Sequence, residues 1–173
     1  MCREKVASNV KQESGSKHIG GISMIRNMTV DDYDAVFDLW ANAANMGLRS
    51  LDDSKEGIDA FLKRNPGICF VALSGSIVVG SILCGHDGRR GYIYHTVVRD
   101  EYRKQGIGSA LIGAAIAALQ REGISRVCLN VMEHNEAGKR FWINRGWEKK
   151  EFLGFYSRSI TDRENLPLFE VEQ

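Results

Sequence analysis

The sequence predicts an α/β (α+β) fold with a mixed, mainly antiparallel central sheet flanked by helices. Short runs of apolar and β-branched residues alternate with longer segments in which apolar residues recur at helical spacing. Most of the runs are joined by short turns, which is typical of antiparallel pairs. Late in the chain an apolar strand, a helical segment and a second apolar strand follow one another directly. A connection of this length forms a right-handed crossover, which makes the two strands parallel.

The N-terminal part of the folded region predicts one strand and two helices. Residues 24–28 form a short apolar strand. A helix over about residues 30–45 follows, because Thr29 and Asp32 have the spacing of a capping box and the apolar residues after them share one face. A second helix ends before Pro66, since the residue that precedes a proline resists the helical conformation.

The centre of the chain predicts three successive strands. Residues 68–73 and 77–84 are strands joined by a tight turn at 74–76, and together they form an antiparallel hairpin. A glycine-rich connection over 85–91 leads into the third strand, 92–98. This third strand ends directly before a charged loop that contains two glycines.

The C-terminal part predicts a helix, a strand and a further helix. The helix over about residues 107–121 carries a wide apolar stripe, so it packs on a face of the sheet. The strand 126–131 then returns parallel to 92–98. Asn135 is placed to cap the next helix, which ends at Gly146. One or two final strands are marked by aromatic residues, Trp147, Phe152, Phe155 and Tyr156.

The chain divides into three parts. Residues 1–23 are polar and aperiodic, without the apolar core of a signal peptide, and we interpret them as a mobile N-terminal extension. Residues 24–160 form one folded domain, and residues 161–173 form a polar C-terminal tail. A chain of 173 residues has the length of one domain with a sizeable core.

Charge and cysteine usage exclude several function classes. The 23 basic and 22 acidic residues leave a net charge of +1, so the chain lacks the field that general binding to nucleic acid or membrane surfaces requires. No apolar stretch approaches the length of a membrane span. The four cysteines show neither metal-ligand nor C-x-x-C spacing, and three lie in apolar runs, which predicts a reduced, cytoplasmic protein without a metal.

The charged loop has the features of an anion site. Gly106 and Gly108 remove side chains where the backbone turns and where a ligand could come close. The backbone N–H groups between Lys104 and Ser109 precede or begin a helix, so they lack helical partners, and the helix dipole adds positive charge there. Arg103 supplies a second cation beside Lys104. The loop therefore predicts a bound pyrophosphate.

Two other glycine motifs are excluded by the residues that follow. A Rossmann fingerprint needs a third glycine at the position of Leu111. A P-loop needs a Gly-Lys-Ser or Gly-Lys-Thr ending, which is absent. From the loop alone, a plain glycine turn that leads into a core helix stays open as an alternative.

Two motifs resemble one known family. The pattern R-x-x-G-x-G over residues 103–108, placed after a strand, resembles motif A of the GNAT superfamily of acetyl-CoA-dependent N-acyltransferases. The segment from Asn135 to Trp147 is similar to that family's N-x-x-A-x-x-[LF]-Y-x-x-x-G-F pattern. The element order matches the family over residues 24–160. The resemblance implies a GNAT-type sheet in which the parallel strand pair splays apart at the cofactor site.

The resemblance places acetyl-CoA as a cosubstrate. In the family the pantetheine arm fills the gap between the splayed strands, and a backbone N–H near Val97 or Val98 would polarise the thioester carbonyl. The pyrophosphate would lie on the loop that ends at Gly108. Asn135 either contacts the arm, as the family residue that it resembles does, or only caps its helix. The residues so implied in cofactor binding are Thr96, Val97, Val98, Arg103, Lys104, Gln105, Gly106, Ile107, Gly108, Ser109 and Asn135.

The resemblance also implies a role for tyrosines on the strand before the loop. Family bases often lie at the positions of Tyr94 and Tyr92, whose pKa of about 10 suits them to hold a water rather than to act as bases themselves. Side chains alternate along a strand, so Tyr94 and His95 are expected to face opposite sides unless a bulge intervenes. We therefore predict that Tyr94 faces the acyl group and interpret His95 as a packed histidine.

The proton donor differs from the family pattern. The usual acid is a tyrosine, and this chain has Trp142 at that position, whose indole does not give up a proton. A thiol with a pKa of about 8.5 leaves readily as thiolate near neutral pH. The donor is therefore solvent or another hydroxyl, with Tyr156 as the leading candidate.

The resemblance implies direct transfer of an acetyl group from acetyl-CoA to an amine of a small molecule or a peptide. Two interpretations from other classes stay open, a catalytically silent acyl-CoA-binding or regulatory module of the same fold and, more distantly, a nucleotide-binding domain. Acceptor recognition is expected on the connection 85–91 and on the loop between the first two helices, with Arg49, Asp52 and Asp53. The acceptor and the oligomeric state do not follow from the sequence, and a homodimer stays open.

Overall fold

The computed structural model describes residues 24–169 and has one five-stranded sheet at its centre. The strands lie side by side in chain order: β1 (Met24–Asn27), β2 (Phe70–Ser74), β3 (Ile77–His86), β4 (Gly91–Val98) and β5 (Val127–Leu129). The pairs from β1 to β4 are antiparallel, and β4 and β5 are parallel. The predicted fold class is confirmed. The expected extension over residues 1–23 lies outside the described residues.

Four helices flank the sheet: α1 (Tyr33–Ala41), α2 (Lys55–Arg64), α3 (Ile107–Arg121) and α4 (Glu136–Ile143). A 3-10 turn with the predicted capping box precedes α1, and its Asp32 carboxylate accepts the Thr29 backbone N–H at 2.9 Å. α1 ends before the predicted residue 45: the Asn42 side-chain amide donates to the Asp38 carbonyl at 2.8 Å, and the Ala43 N–H donates to the Trp40 carbonyl at 3.0 Å in a tighter turn. No helix within residues 24–169 is long and apolar enough to cross a membrane.

Both faces of the sheet are covered by helices. α3 lies on one face, and the apolar cluster there includes Ile107, Leu111, Leu119, Val79 and Ile82. α1 and α2 lie on the other face, and their cluster includes Val36, Trp40, Ile58, Val71 and Leu83. Within it, the Trp40 indole N–H donates to the Ser81 hydroxyl at 2.9 Å. Burial from both sides fixes the central strands, including β4, which leads into the charged loop.

The cysteines behave as small apolar residues. Cys69 and Cys84 are buried next to each other, and the Cys69 thiol donates to the Cys84 carbonyl at 3.2 Å. Burial raises the pKa of the Cys69 thiol to about 11 and that of Cys84 to about 12, so both stay protonated at neutral pH. Cys128 is also free. Among the described residues, no group of three or more side chains could hold a metal ion.

The final strands predicted after α4 do not form in the described residues, and this prediction is wrong for them. Residues 148–160, here called the C-terminal segment, are exposed except for the half-buried Lys150, and they lie outside the sheet. A local turn interrupts the segment, where the Leu153 N–H donates to the Lys150 carbonyl at 3.1 Å. The aromatic residues expected to mark a strand are solvent-exposed here, namely Phe152, Phe155 and Tyr156.

The described part of the expected polar tail packs against the loop between α1 and α2. Residues 165–168, here called the latch, run antiparallel to this loop with Pro167 opposite Arg49. Two main-chain hydrogen bonds of 2.8 and 2.9 Å join the two segments on either side of that pair. The end of the described chain is therefore attached to the loop where acceptor recognition was expected.

Candidate active site

β4 and β5 separate part-way along β4. Their parallel pairing stops at Ile93 and Leu129, where β5 ends. β4 continues to Val98, and β3 remains paired with it on the other side up to that residue. Among residues 24–169, no strand pairs with this edge of residues 94–98, and an extended ligand can add main-chain hydrogen bonds to it. We call this gap the β4–β5 opening, and the predicted residues 96–98 lie on its edge.

Thr96 carries an unused hydroxyl on this edge. Its Oγ1 atom is buried and has no hydrogen-bond partner among the described residues. A buried hydroxyl without a partner is unfavourable, and a polar group of a ligand would remove that cost. The pantetheine arm of coenzyme A carries amide groups that can bond to a hydroxyl, so this position fits the predicted cosubstrate.

The loop from β4 to α3, residues 99–106, has the geometry of an anion site. Lys104 and Gly106 adopt positive φ angles of 60° and 87°, and a glycine tolerates this conformation without strain. The first hydrogen bond of α3 runs from the Ala110 N–H to the Gly106 carbonyl. The N–H groups of residues 107–109 precede it and lack helical partners, so they can bind a phosphate together.

The other predicted loop residues surround these N–H groups. Arg103 is exposed and donates to the Val98 carbonyl at 3.1 Å. The Gln105 side chain donates to the Glu101 carbonyl at 3.1 Å, which closes the loop. Ile107 is buried in the cluster under α3, so its contribution to a bound anion is limited to its backbone N–H.

Arg145 adds a further cation at the start of α3. Its Nε and Nη2 atoms donate to the Ser109 hydroxyl at 3.0 and 2.8 Å. The guanidinium lies 3.7 Å from the centre of the Phe141 ring, which fixes its plane. No sequence motif signals this residue, because the contact joins positions 36 residues apart and depends on how α4 packs.

Gly108 lies where α4 packs against the start of α3. A Cβ atom at this position would be 3.2 Å from Phe141 Cζ and 3.8 Å from Val98 Cγ2. The first distance is shorter than an ordinary carbon–carbon contact, so a side chain would have to displace the aromatic ring. The second glycine of the motif therefore lets α4 approach the loop.

A bulge in β4 changes which side chains share a face. The register of β3 against β4 shifts near its middle, and His95 adopts a φ of 38°. The His95 ring consequently packs on Trp40 of α1, with ring centres 4.8 Å apart. Tyr94 meets Phe61 of α2 on the same face, at 5.9 Å. The prediction that Tyr94 and His95 face opposite sides is wrong, because it assumed an unbroken alternation.

His95 is held by a buried carboxylate. Its Nε2 atom lies 2.6 Å from Asp53 Oδ1, and only 17% of the His95 side chain and 7% of the Asp53 side chain are exposed. The second carboxylate oxygen accepts the Arg49 backbone N–H at 2.7 Å. The Tyr33 hydroxyl donates to the Asp53 carbonyl at 2.9 Å. These contacts connect β4 to the loop between α1 and α2.

The α1–α2 loop, residues 42–54, reaches the loop that follows β5. Asn45 Oδ1 lies 2.6 Å from His134 Nε2. A Cβ atom at Gly47 would be 2.7 Å from Met132 Cε, so the two loops are in close contact. A cleft of about 220 Å³ lies between the end of α1 and the end of β4. Its lining includes Leu39, Asn42, Ala43, Val97, Val98 and Arg103.

The chain matches a known protein family over most of its described length. Residues 33–147 match the family model described as the acetyltransferase (GNAT) family. An acetyltransferase of Pectobacterium atrosepticum is 32% identical over 140 residues, which cover 81% of this chain and 98% of that protein. The chain belongs to the GNAT acetyltransferase family.

Solved structures share the fold of this GNAT protein. Ard1 from Thermoplasma volcanium gives a TM-score of 0.61 at 23% identity, with 71% of this chain and 80% of that chain covered. AAC(6')-Iy, in complex with the bisubstrate analogue CoA-S-monomethyl-acetylneamine, gives a TM-score of 0.62 at 16% identity. The match covers 79% of this chain and 97% of that chain. At these identities the likeness shows the fold alone.

In this GNAT protein the predicted tyrosines lie next to His95 on β4. Tyr92 and Tyr94 stack with ring centres 6.4 Å apart, and both rings are partly exposed. Partial burial raises the pKa of Tyr94 above the usual tyrosine value, and Tyr92 and Cys84 add to that shift. Its phenol therefore stays protonated at neutral pH, which suits it to hold a water. The catalytic roles of both tyrosines stay predictions.

Three further predicted residues of the GNAT protein lie on or after α4. Asn135 caps this helix, since its Oδ1 accepts a backbone N–H of the first turn at 2.8 Å, and its contact with the pantetheine arm stays a prediction. Trp142 packs edge-on against Phe141 and Trp147, with ring centres 5.2 and 4.9 Å away. Tyr156 is 94% exposed in the C-terminal segment, so the structure does not bring its hydroxyl to the β4–β5 opening.

Proposed function

We propose that this GNAT protein transfers an acetyl group from acetyl-CoA to an amine acceptor. The observation that carries the proposal is the β4–β5 opening, which leads along residues 94–98 to the N-terminus of α3. An extended pantetheine arm would add hydrogen bonds along this edge, and the pyrophosphate would meet the N–H groups of residues 107–109. Arg103, Lys104 and Arg145 would balance the charge of the phosphates.

Direct attack needs a polarised thioester and a neutral amine. A backbone N–H near Val97 or Val98 would donate to the thioester oxygen and stabilise the negative charge that develops on it. The amine nitrogen bonds to the acetyl carbon, the C–S bond breaks, and coenzyme A leaves as the thiolate. Because a thiol has a pKa of about 8.5, this departure needs no protein acid near neutral pH. A tryptophan at position 142 is compatible with this route.

The acceptor is proposed to enter beside the α1–α2 loop. Asp52 is exposed on this loop, and its carboxylate favours an acceptor with a positive charge. The analogue bound by AAC(6')-Iy joins CoA to monomethyl-acetylneamine, which is consistent with an amine acceptor for this chain as well. The near-zero net charge and the free, buried thiols favour a cytoplasmic enzyme without nucleic-acid or membrane partners, and a homodimer stays open.

A catalytically silent acyl-CoA-binding module is the second candidate function. Trp142 favours it, because this side chain stands where the family's usual acid has a hydroxyl. Both candidates need the same cofactor site, so acetyl-CoA binding alone does not separate them.

Thiol release in the presence of an amine separates the two candidates. The protein is titrated with acetyl-CoA by calorimetry and then incubated with acetyl-CoA and a panel of amines and peptides while free thiol is measured. Binding together with amine-dependent thiol release supports the transferase, and mass spectrometry of the product checks for an N-acetyl group. Binding without release for any acceptor supports the silent module, and no binding contradicts both.

A further inference from the structure

We propose that His95 accepts the proton of the attacking amine and that Asp53 positions its ring for this step. The inference rests on the proposed function, because it names the base of that reaction. The bulge of β4 places the imidazole of His95 on the same face as Tyr94, where a regular alternation of side chains would not place it.

The contact with Asp53 determines which ring nitrogen is available. A carboxylate oxygen accepts a ring hydrogen, so the proposed tautomer carries its hydrogen on His95 Nε2, which lies 2.6 Å from Asp53 Oδ1. The lone pair of the neutral ring is then on Nδ1. Within residues 24–169, Nδ1 has no hydrogen-bond partner. Nδ1 of the partly exposed His95 ring is therefore the proposed proton acceptor, and the contact with Asp53 fixes the orientation of the ring.

The backbone at His95 is held in place by the contacts of its side chain. A φ of 38° lies in a region that residues with side chains seldom adopt. The ring is fixed by Trp40 on one side and by the carboxylate of Asp53 on another. Strained residues that are fixed in this way concentrate at functional sites. An apolar ring would pack on Trp40 equally well, but it could not bond to Asp53 or accept a proton.

The pair joins the edge of the β4–β5 opening to the α1–α2 loop. His95 belongs to the edge of residues 94–98, and Val97 lies two residues further along on the same face, in the cluster with Trp40. The N–H groups proposed to polarise the thioester are those near Val97. Asp53 belongs to the α1–α2 loop. An amine bound by this loop would therefore meet the imidazole on its way to the thioester.

The proposed step is a proton transfer coupled to acyl transfer. The amine nitrogen releases a proton to His95 Nδ1, directly or through a water held by Tyr94. The lone pair of the neutral amine forms the bond to the acetyl carbon, the electrons of its N–H bond stay on nitrogen as the proton moves to His95, and the electron pair of the C–S bond leaves with the thiolate. The imidazolium is stabilised by Asp53 and returns its proton to the thiolate or to solvent, which restores the neutral ring.

Other acid–base groups of this region are less suited to the role. The phenol of Tyr94 has a raised pKa and stays protonated. Glu133 is exposed and bonded to Lys139 and Lys149, and these contacts hold the pKa of its carboxyl below the usual value. A carboxylate with a lowered pKa is a weaker proton acceptor near neutral pH. His95 combines an available lone pair with a fixed position on the strand edge.

His95→Gln tests the proton acceptor. The glutamine amide can donate to Asp53 as the ring does, but it takes up no proton near neutral pH. With an amine from the thiol-release panel, kcat should fall by about 100- to 10,000-fold while acetyl-CoA affinity is unchanged. Gln120→Ala, at an exposed position near the end of α3 and away from the α1–α2 loop, is the control and should keep the wild-type rate.

Two further measurements keep the test decisive if His95→Gln does not fold. His95→Ala should regain thiol release when imidazole is added to the buffer, because free imidazole can take the place of the ring. Long-range ¹H–¹⁵N NMR of the wild type should show the hydrogen of the His95 ring on Nε2. A ring hydrogen on Nδ1, or no rescue by imidazole in a folded variant, would overturn the inference.

Asp53→Asn tests the positioning role. An asparagine has the same size but can turn its NH₂ group toward His95 Nε2, which would move the ring hydrogen to Nδ1. We expect kcat to fall, the NMR signal to show the changed tautomer, and the KM for acetyl-CoA to stay the same. A purely structural role would instead lower thermal stability and change the tautomer in the same way, while kcat of the folded variant stays at the wild-type value.

The failures of the two proposals are distinguishable. An active wild type whose folded His95→Gln variant is equally active would overturn the role of His95 and leave the transferase intact. A wild type that binds acetyl-CoA but acetylates no amine would contradict the proposed function and this inference together.

Discussion

Arg145 enlarges the candidate phosphate site beyond the residues of the glycine motif. Its guanidinium is fixed by the Ser109 hydroxyl and by the Phe141 ring at the first turn of α3. An arginine fixed in this way loses little side-chain freedom when it binds a phosphate, and its planar group matches phosphate oxygens. The position of Arg145 in this site depends on its contact with Ser109, which forms only when α4 packs against α3.

We expect Arg145→Ala to weaken acetyl-CoA binding by about tenfold, because a hydrogen bond to a charged group contributes about 1.5 kcal/mol or more. The loss should be smaller at high salt, which screens charges at the surface. Arg140→Ala removes an exposed arginine from α4 and serves as the control. Calorimetric titrations at low and high salt measure both variants, and equal affinities would remove Arg145 from the site.

The two glycines at positions 108 and 113 of α3 allow a matched comparison. Gly108→Ala should weaken acetyl-CoA binding, because its Cβ would lie 3.2 Å from Phe141 Cζ and push that ring, on which Arg145 lies, by a few tenths of an ångström. A Cβ at Gly113 has no neighbour within 4 Å, so Gly113→Ala should leave binding unchanged and stabilise the helix by about 0.5–1 kcal/mol. Calorimetry and thermal unfolding measure the two effects. Unchanged binding by Gly108→Ala would contradict the placement of the ligand.

Among the helices and strands, those with a clear apolar period were predictable from the sequence. The elements from β1 to α4 follow the order that periodicity and turn residues indicate, and the glycine loop marks the start of α3. The position of His95 was not predictable, because a bulge shifts the alternation by one residue. The residues around it, Tyr94 and Thr96, are amphipathic and give no pattern that would reveal the shift.

The missing final strands have a different physical reason. Aromatic residues favour strands only where a partner strand and a covered face are available, so their β-propensity depends on context. β5 has three residues and offers a short edge. The C-terminal segment forms a local turn at residues 150–153 instead of a ladder.

The capping box before α1 gives a prediction about pH. Hydrogen bonds from Arg26 hold the pKa of the Asp32 carboxyl below its usual value, and the Thr29 N–H adds to this effect. Because the folded pKa is below the unfolded one, the carboxylate stabilises the fold above about pH 4 and loses this effect as the pH falls through the folded pKa. Asp32→Asn should therefore lower the free energy of unfolding by about 2 kcal/mol at neutral pH and by much less in acid.

Urea unfolding at neutral pH and in acid measures this contribution. Asp31→Asn is the control, since Asp31 is the exposed neighbour in the same turn. A difference between wild type and Asp32→Asn that is equally large in acid would show that the charge of the carboxylate is not what stabilises the turn.

Across the whole molecule, hydrogen bonds connect the latch to the α1–α2 loop and the α1–α2 loop to β4. Asn165 Oδ1 accepts the Leu51 N–H at 3.0 Å, and its amide donates to Asp52 at 2.7 Å. The next residue of the loop, Asp53, holds His95 on β4. The end of the described chain can therefore influence the position of the acceptor loop without touching the phosphate loop.

Asn165→Ala should raise the KM for the acceptor amine and leave acetyl-CoA affinity unchanged, because it releases the α1–α2 loop only. Glu164→Ala, at the exposed neighbouring position, is the control. Steady-state kinetics with a varied acceptor, together with calorimetry of acetyl-CoA, separate the two effects. A loss of acetyl-CoA affinity equal to the loss in acceptor KM would show that the latch supports the whole domain rather than this loop.

A crystal structure of the protein with coenzyme A tests the central claim most directly. We predict that the pantetheine arm lies along residues 94–98 in the β4–β5 opening and hydrogen-bonds to the strand edge. The pyrophosphate should accept hydrogen bonds from the N–H groups of residues 107–109, with Arg145 in contact with a phosphate. Coenzyme A bound elsewhere, or β5 paired with β4 as far as Val98 so that the opening is closed, would contradict the account.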